Sequence, residues 1–415
     1  MKYIDLFAGA GGFSEGFIRA GFEPIAHIEN DVAACFTLKT RLAYHYLIKN
    51  NKIDFYNQYL KGEITRDQLY SLIPDNALNS VINQTIGQED NKNIFHAIDE
   101  LKGEKSIDII VGGPPCQAYS LVGRARDKNG MSGDPRNYLY VQYGRFLKRY
   151  KPKAFVFENV IGLLSAQNGS HFSNLNKYFK RIGYEIQACE VNAKEFGVLQ
   201  NRRRLIVVGW QKGMDFSLDL SCDNLTYAYK VKAVFEDLPK LKAGEGKDKC
   251  SLYTQPLNEY LRSSKIRQET EILTQHVARP HTEKDREIYR IAVEQWQTCG
   301  KRLDYNDLPE RLKTHNNRNA FTDRFKVVAD DLPYSQTVVA HIAKDGHYYI
   351  HPEIQQNRSI TVREAARLQS FPDNYYFEGL KEGHNRTSAF RQIGNAVPPL
   401  MMEKIAEKIL EYLMK

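Results

Sequence analysis

Short apolar runs, each followed at once by glycine or polar residues, recur through the first half of the chain and most limit its fold. They occupy residues 3–7, 24–28, 107–111, 154–157 and 205–210. Continuous apolar strands separated by helical stretches are typical of a parallel sheet that is buried on both faces. We therefore predict an α/β fold with a doubly wound, mostly parallel sheet.

The alternation of strands and helices is lost in two stretches of different composition. Residues 47–93 are rich in Asn, Gln, Lys and Tyr and are predicted to form a helical insertion or a peripheral elaboration of the fold. Residues 213–355 carry many Tyr, Lys, Arg and His residues, which favours a second, smaller domain. The chain ends in a predicted amphipathic helix at about 399–414. The predicted domains are 1–212 with its insertion, 213–355, and 356–415, which returns to the first.

Charge, hydropathy and cysteine usage exclude several classes of protein. The 415 residues have a formal net charge of +8, which permits a nucleic-acid partner without requiring one. The six cysteines are scattered and lack the spacing of zinc ligands, so we predict free thiols in a reducing compartment and no metal site. No run approaches about 18 apolar residues, and no signal-peptide pattern precedes the first strand. We expect a cytoplasmic protein that does not contact a membrane.

A glycine-rich loop follows the first predicted strand, with the sequence Asp-Leu-Phe-Ala-Gly-Ala-Gly-Gly-Phe at residues 5–13. Glycines between a strand and a helix allow close approach of a ligand, and the helix N-terminus offers free N–H groups. Glu29 ends the next strand, where a carboxylate can bind the hydroxyls of a ribose. The spacing differs from Gly-x-Gly-x-x-Gly, which disfavours a dehydrogenase, and the loop alone is also compatible with a structural turn.

Cys116 follows a rigid bend, Gly-Gly-Pro-Pro at residues 112–115, just beyond a predicted strand. In α/β proteins this end of a strand borders the ligand crevice, so the bend would present the thiol there. Most cysteines are small buried hydrophobic residues, but such cysteines rarely need two glycines and two prolines before them. The polar stretch 121–137 is predicted to close over a substrate.

Two further polar groups accompany buried strands. Glu158 ends the strand at 154–157, where its carboxyl group can act as a proton donor near the same crevice. Arg202 and Arg204 share one side of the strand that they enter, and Arg203 faces the other. A basic surface cluster is the alternative interpretation of these arginines.

Two motifs lie near the C-terminus. Residues 361–372 are predicted to begin a helix in which Thr361 is the N-cap and Glu364 completes a capping box, and we interpret this helix as structural. Residues 392–399 are predicted to form a polar turn before the final helix.

Taken in order, these segments resemble the DNA cytosine-5 methyltransferase family. Six of its motifs occur in the family's order, with a variable region between the fourth and fifth. The resemblance implies a methyltransferase sheet that binds S-adenosylmethionine, a target-recognition domain at 213–355, and double-stranded DNA as substrate. It also implies a bacterial restriction-modification enzyme, and we expect a monomer.

The resemblance also assigns the binding site. Phe7 would lie against the adenine, Glu29 would bind the ribose, and Asn30 stands where the family usually has tryptophan. Asp99 is the candidate for a carboxylate near the adenine amine. The implied cofactor-binding residues are Phe7, Ala8, Gly9, Gly11, Gly12, Glu29, Asn30, Asp99, Pro115, Asn395 and Val397.

By the same resemblance, Cys116 would attack carbon 6 of a cytosine flipped out of the duplex. Glu158 would protonate the ring at N3, Arg204 would hold its O2, and Arg202 would help to order Cys116 and Glu158. The 121–137 loop would be the lid. Arg318, Arg324 and His341 are candidates for DNA contacts, but no code converts them into a recognition sequence.

Two other functions are compatible with parts of this pattern. One is an RNA cytosine-5 methyltransferase, but the Cys-Phe-Thr segment of the transfer-RNA subgroup is absent from 213–355. Glu158 disfavours the unrelated RNA enzymes that attack from a second cysteine. The other is a binding protein that keeps the fold without catalysis, which the presence of Cys116, Glu158, Arg202 and Arg204 disfavours.

Overall fold

A computed structural model describes residues 1–87, 91–115, 138–220, 229–269, 272–316, 318–319 and 322–414. Its centre is a seven-stranded sheet with the order β3-β2-β1-β4-β5-β7-β6. The first five strands are parallel, and β7 is antiparallel to both of its neighbours. This confirms the predicted α/β, mostly parallel architecture. The strands are β1 (Lys2–Leu6), β2 (Glu23–Glu29), β3 (Val81–Asn83), β4 (Ile109–Gly112), β5 (Ala154–Asn159), β6 (Tyr184–Asn192) and β7 (Arg203–Gln211).

Helices cover both faces of this sheet and continue into the second half of the chain. A two-stranded ribbon, β8 (Gly246–Lys247) with β9 (His276–Val277), lies outside the main sheet. The helices are α1 (Gly12–Arg19), α2 (Val32–Lys49), α3 (Ile53–Lys61), α4 (Arg66–Ser71), α5 (Asp75–Leu78), α6 (Lys92–Lys102), α7 (Leu139–Tyr150), α8 (Gly162–Ser165), α9 (Ser170–Arg181), α10 (Glu259–Ser263), α11 (Glu283–Cys299), α12 (Val362–Leu368), α13 (Arg386–Asn395) and α14 (Pro399–Leu413).

The apolar strands divide their side chains between two cores. On β4, Ile109 and Val111 pack with α1 and α14, whereas Ile110 packs with α6, α7 and α9 on the other face. Side chains alternate between the faces of a strand, so a run that is apolar at every position must be covered on both. The C-terminal helix therefore completes the core of the first half of the chain.

The helical insertion differs in one respect from the prediction for residues 47–93. Helices α3–α5 do occupy its first part, but β3 then adds an edge strand to the central sheet. Three residues give too short an apolar run to stand out in the sequence. The edge strand β6 was also missed, because its side chains are mostly half-exposed and do not form an apolar run.

The C-terminal motifs are resolved as two helices. Thr361 caps α12 through the predicted capping box with Glu364, and all seven residues of α12 are buried. The predicted polar turn at 392–399 is wrong in its first half, because residues 392–395 continue α13 and the connection to α14 begins at Ala396. No helix in the ranges described is long and apolar enough to cross a membrane.

Candidate active site

The strand order reverses between β1 and β4, and the loops at the carboxyl ends of these strands form the candidate site. The loop after β1 turns sharply, with positive φ angles of 59° at Phe7, 55° at Gly9 and 80° at Gly11. A Cβ atom at Gly12 would lie 2.2 Å from the carbonyl oxygen of Val397. Glycine is therefore needed at position 12 for the loop to pack against the segment that precedes α14.

Glu29 is fixed by the backbone around it. Its carboxylate accepts hydrogen bonds of 2.8 Å from the N–H groups of Gly9, Asn30 and Asp31. Burial raises the pKa of Glu29, and these three N–H groups act against that rise. The side chain thus has a defined orientation at the end of β2.

The residues around this loop fit a nucleoside cofactor such as S-adenosylmethionine. A carboxylate has about four lone-pair sites, so Glu29 can still accept from a ribose hydroxyl. Apart from Gly9 and its two chain neighbours, no atom of the described residues lies within 4 Å of a Cβ built on Gly9, which leaves space over the loop. Ala8 is buried, and Phe7 is half-buried beside that space.

Asn83 belongs to this site and was missed in the sequence. At the end of β3, its side-chain amide donates to the carbonyl oxygens of Glu29 (3.0 Å) and Asn30 (3.1 Å). It therefore braces the strand end that carries Glu29, beside the exposed Asn30. A polar residue at the end of a short apolar run was the available signal.

The structure contradicts the assignment of Asp99 to the cofactor site. Asp99 lies near the C-terminal end of α6, where it forms an ion pair with Arg149 near the end of α7. The C-terminal ends of these helices lead into the starts of β4 and β5. The pair therefore lies at the amino ends of the strands, opposite the carboxyl ends that form the candidate site. A carboxylate there cannot reach a ligand at the strands' carboxyl ends.

A carboxylate and a guanidinium meet at the end of β5. Nε of Arg204 lies 2.7 Å from Oε1 of Glu158, and each side chain is 14% exposed. A Cβ at Gly113 would lie 2.6 Å from Oε2 of Glu158, so only glycine lets the chain pass this carboxylate without displacing it. The pair thus lies directly beside the Gly-Gly-Pro-Pro bend.

The bend itself is tied to β5. The side-chain amide of the buried Asn159 donates to the carbonyl oxygen of Pro114 at 3.4 Å, and Pro115 is exposed. Cys116 follows Pro115 in the sequence, but it lies outside the described residues, as does the whole predicted lid at 121–137.

Arg202 connects the site to the second half of the chain. Its fully buried guanidinium donates to the carbonyl oxygens of Val338 (2.7 Å), Gly394 (3.2 Å) and Ala396 (2.7 Å). Asn395, between the last two, is exposed at the rim. Arg202 therefore holds the segment that meets the glycine-rich loop after β1, while Arg204, two residues on, faces Glu158.

The chain is similar to known proteins over almost its whole length. The sequence model of the C-5 cytosine-specific DNA methylase family matches residues 1–74 and 75–411. A type II methyltransferase from Bacillus paralicheniformis is 42% identical over 445 residues, covering 99% of this chain and 98% of that protein. One from Desulfomicrobium norvegicum is 32% identical over 438 residues, covering 99% and 89%. A crystal structure named as a DNA modification methyltransferase encoded within a prophage (E. coli) has a TM-score of 0.63 at 21% identity, covers 100% of both chains, and has the same fold.

Proposed function

Because the chain belongs to the C-5 cytosine-specific DNA methylase family and is a DNA cytosine-5 methyltransferase of the restriction-modification type, we propose that it methylates a flipped-out cytosine through a covalent Cys116 adduct. The observation that carries the proposal is the Arg204–Glu158 pair at the Gly-Gly-Pro-Pro bend. A proton donor and a cation beside a nucleophile are what this reaction needs.

The proposed roles follow from the reactivity of cytosine. Carbon 5 is a poor nucleophile, and addition of the Cys116 thiolate to carbon 6 makes the ring an enamine. Glu158 donates a proton to N3, so that negative charge does not accumulate on the ring. Arg204 holds O2 of the base and the Glu158 carboxylate together. After carbon 5 gains the methyl group, it gives its proton to a base from solvent, the bond from carbon 6 to sulfur breaks to free the Cys116 thiolate, and N3 returns its proton to Glu158.

We assign the cofactor S-adenosylmethionine to the loop after β1. When bound, it supplies an electrophilic methyl group. Glu29, oriented by three N–H groups and supported by Asn83, would accept from the ribose hydroxyls. Phe7 would pack on the adenine, Gly9, Gly11 and Gly12 would allow close approach, and Pro115, Asn395 and Val397 would border the pocket.

The rest of the chain is assigned to DNA binding. A base inside a stacked duplex is unreachable, so the cytosine must be flipped out, with the 121–137 segment as its lid. We propose residues 213–355 as the target-recognition domain of an enzyme that acts as a monomer. Arg202, which links Val338 to the turn before α14, would keep that domain in register with the site.

Bisulfite sequencing of DNA from cells that express the chain tests the proposal. We expect 5-methylcytosine within one short sequence, lost in Cys116→Ser and retained in the matched control Cys299→Ser, whose thiol is exposed at the end of α11. Methylation that persists in Cys116→Ser would contradict the covalent mechanism. Methylation absent from the wild type would contradict the proposed function.

A further inference from the structure

Arg386, the first residue of α13, is a half-buried cation that faces no counter-charge from the described residues. No residue in the described ranges forms a hydrogen bond or an ion pair with its guanidinium. Buried arginines elsewhere have partners: Glu15 holds Arg41 (2.7 Å), Asp237 holds Arg267 (2.6 Å), and backbone carbonyl oxygens hold Arg202. The candidate DNA contacts Arg318 and Arg324 also have carboxylate partners. Arg386 is therefore in an unusual state for its burial.

The second cation is the buried guanidinium of Arg279, which bonds to the segment packed beside α13. Arg279 donates to the carbonyl oxygens of Lys344 (2.5 Å) and Ile342 (2.8 Å), but its buried Nε has no partner within the part of the chain that the structure describes. Burial, and then the charge of Arg386, lower the pKa of Arg279, and burial lowers the pKa of Arg386. Asp345 partly offsets this, but it is paired with Arg324 at 3.3 Å. Two like charges are thus left incompletely compensated.

The α13 helix connects these cations to the candidate active site. Its C-terminal end receives the hydrogen bonds of Arg202, two residues from Arg204. Arg386 lies eight residues before Gly394, or about 12 Å along the helix axis. Residues 338–344 run beside α13, since a Cβ at Gly394 would lie 2.2 Å from the backbone nitrogen of Ala340. Arg386 therefore lies at the far end of the helix that Arg202 holds, and Arg279 is bonded to the segment that packs beside that helix.

Burying like charges without a counter-ion is costly, and an anion between them would repay that cost. The anion that DNA places regularly near a bound base is the backbone phosphate, to which arginine binds through two parallel N–H groups. From this geometry we infer that Arg386, supported by Arg279, binds one DNA phosphate near the target cytosine. The inference rests on the proposed function. Such contacts position the duplex and do not read its sequence.

The test is the salt dependence of binding to a mixed-sequence duplex, measured by fluorescence anisotropy from about 50 to about 300 mM NaCl. The logarithm of the association constant for DNA falls linearly with the logarithm of the salt concentration. Removal of one phosphate contact in Arg386→Gln should make this negative slope less steep by about 0.9. We expect roughly tenfold weaker binding at low salt and a higher KM for DNA with kcat retained. Arg386→Lys should keep most of the slope, because it keeps the charge.

Arg149→Gln is the matched control, because Arg149 pairs with Asp99 at the amino ends of the strands, away from the candidate site. Its slope should equal that of the wild type. If Arg386→Gln melts well below the wild type, DNA protection of Arg386 against phenylglyoxal, followed by mass spectrometry, replaces the binding series. An unchanged slope in a folded Arg386→Gln, or no protection, would overturn the inference. Failure of the wild type to methylate DNA would instead contradict the proposed function.

Discussion

Two groups of charged side chains in this enzyme are built in opposite ways. The hinge cluster (Asp237, Arg267, Arg367 and Asp373) is almost fully buried, with no side chain more than 7% exposed. Arg367 alone contacts both carboxylates, and Arg267 adds a further contact to Asp237. At the candidate active site, Glu158 and Arg204 share one close contact and stay partly open to solvent.

The difference separates charges that hold the structure from charges available to a substrate. Burial opposes ionisation of Asp373, yet the Arg367 charge and its hydrogen bonds keep the pKa of that carboxyl below its usual value. The hinge cluster therefore uses its polar groups on one another and joins α12 to the segment around Asp237. In the Glu158–Arg204 pair, hydrogen-bond donors and acceptors remain available to a substrate. Catalysis by such a pair requires this.

The largest effect is expected for Glu158→Gln. Glutamine keeps the shape of the side chain but has no acidic proton to donate. Methyl transfer should fall about 10²- to 10⁴-fold, the usual contribution of a general acid, while the melting temperature changes little. Incorporation of labelled methyl groups into DNA measures the loss. Glu190→Gln is the control, because Glu190 forms an exposed pair with Arg203 one residue before Arg204. Full activity in Glu158→Gln would remove Glu158 from the mechanism.

The opposite pattern is expected for Arg367→Met, in the hinge cluster. Removing this guanidinium leaves two buried carboxylates without their main partner, which should cost about 3–5 kcal/mol of unfolding free energy. Denaturant unfolding measures the loss, and kcat of the folded fraction should be retained. Arg311→Gln, which breaks an exposed pair with Glu287, should unfold like the wild type. Equal stability of Arg367→Met and wild type would show that the cluster is not a structural joint.

The sequence predicts the local part of this organisation. Apolar runs revealed five of the seven strands in the central sheet, because burial on both faces leaves a continuous pattern. Thr361 and Glu364 were predicted as a capping box, because both partners lie within one turn. The residues predicted around the end of β5, Glu158 and Arg204, do meet in the structure.

Partners that are distant in sequence could not be predicted. Arg367 and Asp237 are 130 residues apart, and nothing in either segment indicates the other. The assignment of Asp99 to the cofactor site rests on its chemical type alone. Its position near the C-terminal end of α6, away from the site, becomes evident only when the helices are placed on the sheet. Asn83 was overlooked because a three-residue strand lies within a polar stretch.

The contact between β9 and the start of α12 should lose stability in mild acid. His276 bonds to Thr361 at 3.1 Å and to the carbonyl oxygen of Pro239 at 2.9 Å, and burial lowers its pKa to about 4. The unfolded chain, with a pKa near 6.5, binds a proton first, so stability is full above about pH 6.5 and falls toward pH 4. From about pH 7 to about pH 5, this histidine should cost about 2 kcal/mol.

Denaturant unfolding of wild type and His276→Gln at the two pH values measures this effect. The variant is expected to be less stable at neutral pH and to lose less on acidification. His27, whose pKa burial also lowers to about 4, remains in both proteins and cancels in the comparison. The same pH dependence in wild type and variant would contradict a neutral, buried His276.

The smallest effect is expected at the end of β2, where the exposed Asn83 donates to backbone oxygens. Asn83→Ala removes two hydrogen bonds that brace the end of β2 but leaves the three N–H groups on Glu29. If the weaker orientation of Glu29 reduces the binding free energy of S-adenosylmethionine by about 1 kcal/mol, its KM should rise roughly fivefold with kcat unchanged. Asn79→Ala, on the exposed connection before β3, should leave KM unaltered. A change in unfolding free energy without a change in KM would place Asn83 with the hinge cluster, among groups that stabilise the fold alone.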